Sequence, residues 1–171
     1  MPSESFNLQG DQESSMSLKK QVLQQLVERL ETNLKMLITS RDDKREMARD
    51  APSANQSHSD TSKSQLSIIQ LGLDSKKIEV EKAISLLKQM PINIYSKITP
   101  GAIFAISEIG GNSEEDNYFL VPVGGGEELD INNLNIVSIT PQAPIARACL
   151  QKNKGDIFVF QGRKLKITNI F

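Results

Sequence analysis

Three carboxylates at helical spacing are the side chains of this sequence that could act together in chemistry: Asp42, Asp43 and Glu46. On a helix, Asp42 and Glu46 lie one turn apart on the same face, and carboxylate oxygens are the ligands that Mg²⁺ prefers. Arg41 and two further basic residues interleave with them, so the local net charge is close to zero. Because a cation site needs excess negative charge, the residues alone favour a solvated helix face.

The other reactive residue types stand alone. His58 is the single histidine and Cys149 the single cysteine, so an internal disulfide and a Cys-based zinc site are excluded. We expect His58 in an exposed loop and Cys149 as a small buried side chain of a short helix. The glycines at 124–126 lack the following helix and lysine of a phosphate-binding loop, so a turn is favoured there.

Composition excludes several classes of protein. The 171 residues include 20 basic and 21 acidic side chains, with a formal net charge of −1, which argues against independent DNA binding. Aromatic residues make up only 5%, without any tryptophan, which argues against a base-stacking surface. The sequence has one cysteine, no signal-like start and no apolar run near the roughly 20 residues of a membrane span. It therefore predicts a cytoplasmic protein without membrane contact.

The composition changes near residue 97. Only Gly10 and Gly72 precede this point, whereas eight of the ten glycines and four of the seven prolines follow it. A helical half followed by a mainly β half predicts the α+β class. Residues 1–14 are polar and lack periodicity, which predicts a disordered arm.

Two segments of the first half carry apolar residues at intervals of seven positions. Their members are Met16, Leu23, Leu30, Leu37, Leu66, Leu73, Val80 and Leu87. Two such patterns in one chain predict an antiparallel coiled coil over residues 15–92. The positions expected to be buried in its seam include Leu30, Leu37, Leu73 and Val80.

The middle of the hairpin has a different character. Residues 39–65 contain no Leu, Ile, Val or aromatic side chain, and Pro52 lies among them. A turn is expected at Pro52, and Ser59 or Asp60 could cap the second helix. The sequence therefore predicts a polar tip at about residues 39–65, on a rod that projects beyond its apolar seam.

Short apolar segments and turn residues fill residues 98–171. Strands are predicted at 98–109, 117–123, 136–140, 157–160 and 164–171, with a short helix at 144–151. This pattern predicts a small α+β domain, near the lower size limit for a self-sufficient core.

Residues 137–156, VSITPQAPIARACLQKNKGD, resemble the C-terminal domain of the bacterial Gre transcription elongation factors. The shared pattern is a strand, then Pro-Ile-small-x-Ala-x-Leu, then Gly-Asp before two closing strands. The resemblance extends over residues 16–171 and is strongest over 134–171. Ala146 and Gln151 stand where the family usually has glycine, and Cys149 stands where it usually has leucine.

The resemblance implies an FKBP-like antiparallel β domain with one short helix, preceded by an antiparallel coiled coil. It also implies that the domain docks on RNA polymerase at its secondary channel, and that the coiled coil enters the channel and approaches the nascent RNA. The chain would then not be an enzyme and would have no cofactor of its own. The implied docking residues are Pro144, Ile145, Arg147, Gly155 and Asp156.

In the family, acidic tip residues help the polymerase to hold Mg²⁺ and to cleave its own backtracked RNA. The family pattern is Gly-Asp followed three residues later by Glu. Fitting the second helix by its heptads places Asp60 on the family's Asp and Lys63 on its Glu. Asp60 then remains as a transient Mg²⁺ ligand, while Lys63 opposes cation binding. Asp42, Asp43 and Glu46 are substitute ligands, and a divergent modulator is favoured over a strong cleavage factor.

Two alternatives remain at this point. An FKBP-like fold also suits a peptidyl-prolyl isomerase or chaperone, although such a site needs an aromatic-walled pocket and Tyr118 is the one tyrosine of the domain. The other alternative is a coiled-coil adaptor without polymerase contact.

Overall fold

The structure is a computed structural model that describes residues 8–50, 58–110 and 115–171. Its description excludes the side chains of residues 8–11, 44–45, 47–50, 58–64 and 66. The described residues fall into two compact units. The first unit combines parts of Met1–Val27 with Leu86–Phe171, and the second is Glu28–Ser85. A long helix pair followed by a sheet with a short helix confirms the predicted α+β class.

Helix α1 spans Leu8–Asp50 and helix α2 spans His58–Lys88. The prediction of a disordered arm over residues 1–14 is wrong for 8–14, which are helical, and residues 1–7 lie outside the described part. The Gln and Glu residues of this stretch are good helix formers, and extending an existing helix gains one backbone hydrogen bond per residue. None of the described helices is long and apolar enough to cross a membrane.

The second unit is held by an apolar seam between the two helices. Leu30, Val80 and Ile84 are buried there, as predicted for the first two. Leu37 and Leu73 were also expected to be buried but are partly exposed. The neighbouring contact between the two helices is polar. It joins Arg41 and Asp74, whose Nη1 and Oδ1 atoms lie 3.5 Å apart. An ion pair of this kind keeps its charges in water, so solvent reaches the adjacent apolar layer.

Within the described residues, the first unit contains six strands and a short helix. They are β1 (Ile103–Glu108), β2 (Asp116–Leu120), β3 (Glu128–Ile131), β4 (Leu134–Ile139), α3 (Pro144–Cys149), β5 (Ile157–Phe160) and β6 (Arg163–Ile170). The sheet order is β3-β4-β2-β1-β6-β5. Residues 98–102 were predicted as part of the first strand, but Pro100 and Gly101, whose φ is 96°, form a turn before β1.

The sheet is mixed, which corrects the expected antiparallel arrangement. β2 and β4 are parallel, with Asn117 opposite Ile136 and Leu120 opposite Ile139. The cause is β3, a strand that was not predicted, which pairs with β4 as a hairpin at the sheet edge. Its alternation of exposed Glu128 and buried Leu129 is the period-two pattern that could have revealed it.

Residues 124–126, which were predicted as a turn, lie in the loop between β2 and β3. Ser138, a buried residue of β4, holds this loop: its hydroxyl donates to the Gly124 carbonyl at 3.1 Å and accepts the Glu127 N–H at 3.0 Å. A Cβ atom at Gly125 would lie 2.9 Å from the Thr140 backbone nitrogen. The close approach of two backbones therefore explains the glycine at this position.

Both faces of the central strand β1 are covered. Phe104 and Ile106 point into a core cluster that includes Ala146 and Cys149 of α3. Ile103 is buried on the opposite face, together with Ala105, Phe119, Leu129 and Ile136. Helix α1 covers this second face with the buried side chains Leu18, Val22 and Leu26, one turn apart. Two hydrogen bonds support this placement, from Gln25 to the Asp130 carbonyl at 3.2 Å and from Asn132 to Gln21 at 3.4 Å.

Lys19 is a buried cation beside this apolar row. It is only 2% exposed. Its Nζ donates a hydrogen bond to the Asn93 carbonyl oxygen and lies 4.5 Å from the centroid of the Tyr95 ring. The ring face attracts the ammonium group, but desolvation lowers the pKa of Lys19 from 10.5 to about 8.

Alkaline pH should therefore stabilise the protein through Lys19. The unfolded chain holds the Lys19 proton up to its ordinary pKa, whereas the folded chain releases it at about pH 8. The cost of burying the charge is present in full below pH 8 and is relieved as the pH rises toward 10.5. Between pH 7 and pH 10, the free energy of unfolding should rise by about 2 kcal/mol relative to a Lys19→Met variant.

Urea unfolding at the two pH values measures this difference. Lys20→Met, at an exposed neighbouring position, is the matched control and should follow the natural protein. Parallel pH dependence of the natural protein and Lys19→Met would contradict the expected role of Lys19.

Candidate functional site

The short helix α3 and its flanking turns form the candidate docking site. The chain leaves β4 through a turn in which the Ala143 N–H donates to the Thr140 carbonyl at 2.9 Å. Pro144 then opens α3, where its fixed φ suits the first helical position. The helix ends after Cys149, and the Leu150 N–H donates to the Ala146 carbonyl at 2.8 Å. The predicted helix is confirmed, two residues shorter than expected.

Helix α3 has a buried side and an exposed side. Ala146 and Cys149 are fully buried in the core cluster, and Ile145 packs partly against it. Pro144, Arg147 and Leu150 are exposed at intervals of three residues; we call these three residues the α3 face. Pro144 and Arg147 were predicted docking residues, and Leu150 was not among them. Leu150 follows Arg147 by three residues, on the side away from the buried Ala146 and Cys149. This spacing could have indicated that Leu150 is exposed.

Cys149 anchors the buried side of α3. Its thiol donates to the Ala146 carbonyl oxygen at 3.6 Å. Burial raises the pKa of Cys149 to about 11, so the thiol stays protonated and is not a nucleophile at neutral pH. The predicted role of Cys149 as a buried small side chain is confirmed.

Gly155 and Asp156 shape the turn that leads into β5. The Asp156 carboxylate accepts a hydrogen bond from the Asn153 backbone N–H at 2.8 Å. Gly155 has a φ of 92° and donates its N–H to the Ile167 carbonyl at 2.8 Å. These contacts give both residues a structural role, and their part in docking stays a prediction.

Gln151 connects α3 to this turn in a conformation that favours glycine. Its φ is 64°, and its N–H donates to the Ile98 carbonyl at 2.9 Å. The Ile98 N–H in turn donates to the Lys152 carbonyl at 3.0 Å. These two bonds hold Gln151 in the left-handed region of backbone conformation. Glycine adopts this conformation without strain, which is consistent with the glycine that is usual at this position in the family that the sequence resembles.

The acidic cluster predicted on α1 lies at the surface of the helix. Asp42, Asp43 and Glu46 are all exposed. Asp42 Oδ1 lies 3.0 Å from Arg41 Nη2, and Asp42, with Asp74, raises the pKa of Arg41. Among the side chains that the structure describes, no group of three or more His, Cys, Asp or Glu residues could hold a metal ion.

The second helix contributes the remaining tip candidates. The side chains of Asp60 and Lys63, like that of His58, lie outside the described part of the chain. Helix α2 begins at His58, so Ser59 and Asp60 are within its first turn, whereas a position before that turn had been expected. Among the described side chains, Asp42 is paired with Arg41, and Asp43 and Glu46 alone provide too few ligands for Mg²⁺.

Two features of the first unit bear on the alternative of a prolyl isomerase. Tyr118 packs against Phe104 in the core, with ring centroids 5.6 Å apart, and burial raises its pKa. A recess of about 590 Å³ lies elsewhere in the first unit, between the start of α1 and the sheet. Its lining mixes polar side chains such as Asn132 and Asn169 with Ile94, Ile170 and a single aromatic residue, Phe171. Neither feature is the aromatic-walled pocket that a prolyl isomerase needs.

Comparisons with known proteins give a distant structural likeness. No protein-family model matches the chain, and no curated protein gives a significant match. The solved structures that match include GreA factor homolog 1 (Gfh1) of Thermus thermophilus, at 15% identity and a TM-score of 0.35, covering 85% of this chain and 94% of that one. Another is Gfh1 of Thermus aquaticus, at 14% identity and a TM-score of 0.34, covering 84% and 92%. At these values, the likeness carries no argument about function.

Replacing Gln151 by glycine should stabilise the protein. A non-glycine residue in the left-handed region costs about 1–2 kcal/mol, and the greater freedom of glycine in the unfolded chain offsets part of this gain. We expect Gln151→Gly to raise the free energy of unfolding by roughly 0.5 kcal/mol. Gln142→Gly is the control, since Gln142 is exposed and is not among the residues with positive φ. It should destabilise the protein, and a loss of stability in both variants would contradict the argument.

Proposed function

We propose that this chain binds RNA polymerase and regulates transcription elongation through the secondary channel, as a divergent Gre-like modulator. The observation that carries the proposal is the placement of residues 137–156, whose sequence resembles the Gre C-terminal domain. They form β4, α3 and the Gly-Asp turn before the closing β5–β6 hairpin. This is the order of elements that the family pattern requires.

The α3 face is the proposed docking surface. Pro144 and Arg147 of α3, with Leu150 directly after its end, combine a rigid ring, a planar cation and an aliphatic side chain. The buried Ala146 and Cys149 fix that helix against the sheet, so little conformational entropy is lost when a partner binds. Arginine at such a position can form paired hydrogen bonds with a carboxylate of the polymerase.

The helix pair is the proposed channel probe. A helix of the length of α1 extends about 65 Å if straight. Its second half changes from an apolar seam to exposed charged residues, with Asp42, Asp43 and Glu46 among them. Polar side chains suit the water-filled interior of a channel, where an apolar surface would be costly. The probe would lie beside the nascent RNA without a binding site for RNA of its own.

The tip chemistry supports modulation in preference to strong cleavage. Arg41 neutralises Asp42 directly, and the heptad fit places Lys63 at the position of the family's Glu. A tip with near-zero net charge has little capacity to retain a second cation at the polymerase active site.

Reversing the charge of the α3 face should weaken polymerase binding. We expect Arg147→Glu to reduce the affinity of the full chain for bacterial core RNA polymerase at least about tenfold, because arginine is frequent among the residues that dominate interfaces. Fluorescence anisotropy of the labelled chain measures this affinity. Lys20→Glu makes the same charge change at an exposed position of α1 and should have little effect. If Arg147→Glu binds as tightly as the natural chain, docking through α3 is wrong.

Transcript cleavage separates a modulator from a cleavage factor. In a stalled, backtracked elongation complex, the natural chain should stimulate RNA cleavage weakly. Lys63→Glu should increase the cleavage rate, because it replaces a cation with a carboxylate one turn from Asp60. Lys77→Glu, nearer the middle of α2, is the control. Strong cleavage that depends on Asp42, Asp43 or Glu46 would show instead that the first helix supplies the active residues.

A further inference from the structure

Strand β5 forms an open edge of the sheet. In the part of the chain that the structure describes, it is the last strand in the sheet order and pairs only with β6. The hairpin turn is Gln161-Gly162, with φ values of 50° and 79°. In such a two-residue turn, Phe160 and Arg163 form a hydrogen-bonded pair. Because hydrogen-bonded and non-hydrogen-bonded pairs alternate along an antiparallel ladder, Phe158 and Leu165 form the next hydrogen-bonded pair. The N–H and C=O groups of Ile157 and Val159 therefore point away from β6.

These outward backbone groups have no hydrogen-bond partner among the described residues. They offer two donors and two acceptors in the geometry that a further strand requires. Phe158, between them, is buried in the core cluster. The edge is therefore held in an extended conformation before any partner arrives, which lowers the entropy cost of binding.

The outer face of β5 is apolar and exposed. Ile157 and Val159 are 57% and 64% exposed, although β-branched residues of a four-residue edge strand are normally shielded or replaced by charged ones. Their cross-strand neighbours are Lys166 and Lys164, both exposed. In non-hydrogen-bonded pairs the two side chains start close together on one face of the sheet, so Lys164 and Lys166 belong to the same face as Ile157 and Val159.

The local charge is positive in a chain that is slightly negative overall. Residues 151–171 contain one acidic and five basic side chains, a net charge of +4: Asp156 against Lys152, Lys154, Arg163, Lys164 and Lys166. Asp156 is engaged in its turn, and Arg163 lies 3.8 Å from Glu108. Lys164 and Lys166 have no ion pair with a described residue, so their charge is available to a partner.

We propose that the free edge of β5 binds an extended acidic segment of a partner protein, which adds an antiparallel strand to the sheet. Backbone groups of Ile157 and Val159 would bond to the segment, its apolar side chains would cover these two residues, and its Asp or Glu side chains would pair with Lys164 and Lys166. This mode of recognition combines main-chain affinity with side-chain specificity. The site lies on β5 and β6, not on the α3 face, and does not depend on the polymerase proposal.

Charge and composition favour this occupant over two others. A second copy of the chain, paired β5 to β5, would place the lysines of both copies around one apolar row without a carboxylate. Four residues also bury little area compared with a stable dimer interface. A single-stranded nucleic acid would use the lysines, but Ile157 and Val159 offer no aromatic platform for its bases.

Peptide binding to the full chain tests the proposal. The probe is a fluorescein-labelled peptide, Glu-Thr-Val-Thr-Val-Thr-Glu, measured by anisotropy. A version with lysine in place of both glutamates should bind at least about tenfold more weakly, because charge complementarity is lost. N-methylation of the two valines, whose N–H groups face β5 in the antiparallel register, should abolish binding. N-methylation of two of the threonines, which face away, should change it less than about twofold.

Variants of the protein locate the site. Lys164→Glu/Lys166→Glu should weaken the acidic peptide at least about tenfold and strengthen the lysine version. The matched control, Lys20→Glu/Lys82→Glu, changes the same charge at exposed helix positions and should have little effect. Val159→Pro removes an outward N–H without removing a bond to β6 and should prevent binding. In the natural chain, the peptide should slow hydrogen exchange at the Ile157 and Val159 amides, a readout that needs no variant.

Several results would overturn the proposal. They are failure of the acidic peptide to bind, equal binding of the peptide N-methylated at its valines, or unchanged exchange at Ile157 and Val159. Tighter, lysine-dependent binding of a labelled oligothymidylate that displaces the peptide would identify a nucleic-acid surface. A dimer in sedimentation experiments that Val159→Pro dissociates would identify self-association at the same edge.

Discussion

Strand β1 is buried on both of its faces, and the arrangement of the first unit depends on this constraint. A strand with apolar residues at consecutive positions, such as Ile103 and Phe104, needs a cover on each side of the sheet. Helix α3 supplies one cover through Ala146 and Cys149. Helix α1 supplies the other through Leu18, Val22 and Leu26. The start of the long helix is therefore part of the sheet domain's core.

This double cover explains which surfaces remain for function. Helix α3 turns its two small residues inward, so Pro144, Arg147 and Leu150 face solvent at fixed positions. The same packing holds β5 by Phe158 and leaves Ile157 and Val159 on the outer face. The proposed docking surface and the proposed strand-addition edge are thus both consequences of how one small core is closed.

Charge placement distinguishes the parts of the chain more sharply than overall composition does. The whole sequence is nearly neutral, yet the closing hairpin is basic and its Lys164 and Lys166 are free of ion pairs with described residues. In α1, by contrast, Arg41 offsets the acidic cluster locally. Among the described side chains, Lys19 is the one deeply buried cation, and it is tolerated because a carbonyl oxygen and the Tyr95 ring replace part of its hydration.

Local sequence was sufficient where structure depends on near neighbours. The heptads predicted both long helices, and the apolar runs on either side of Gly162 predicted the β5–β6 hairpin with the bounds of β5 correct. The short helix was predicted to begin at Pro144, where α3 begins. The exposed positions of Pro144 and Arg147, and the buried Cys149, follow from the same helical spacing.

Tertiary structure alone decided the features that depend on distant segments. The parallel pairing of β2 with β4 requires β3 to occupy the edge, and no local signal fixes the partner of a strand. Lys19 occupies a seam position in the heptad pattern, but its burial and lowered pKa depend on Asn93 and Tyr95, more than 70 residues away in the chain. Ile157 and Val159 have the side chains of an interior strand, and only their position at the end of the sheet order leaves them exposed. In each case the deciding contact joins residues far apart in sequence, so it exists only once the chain has folded.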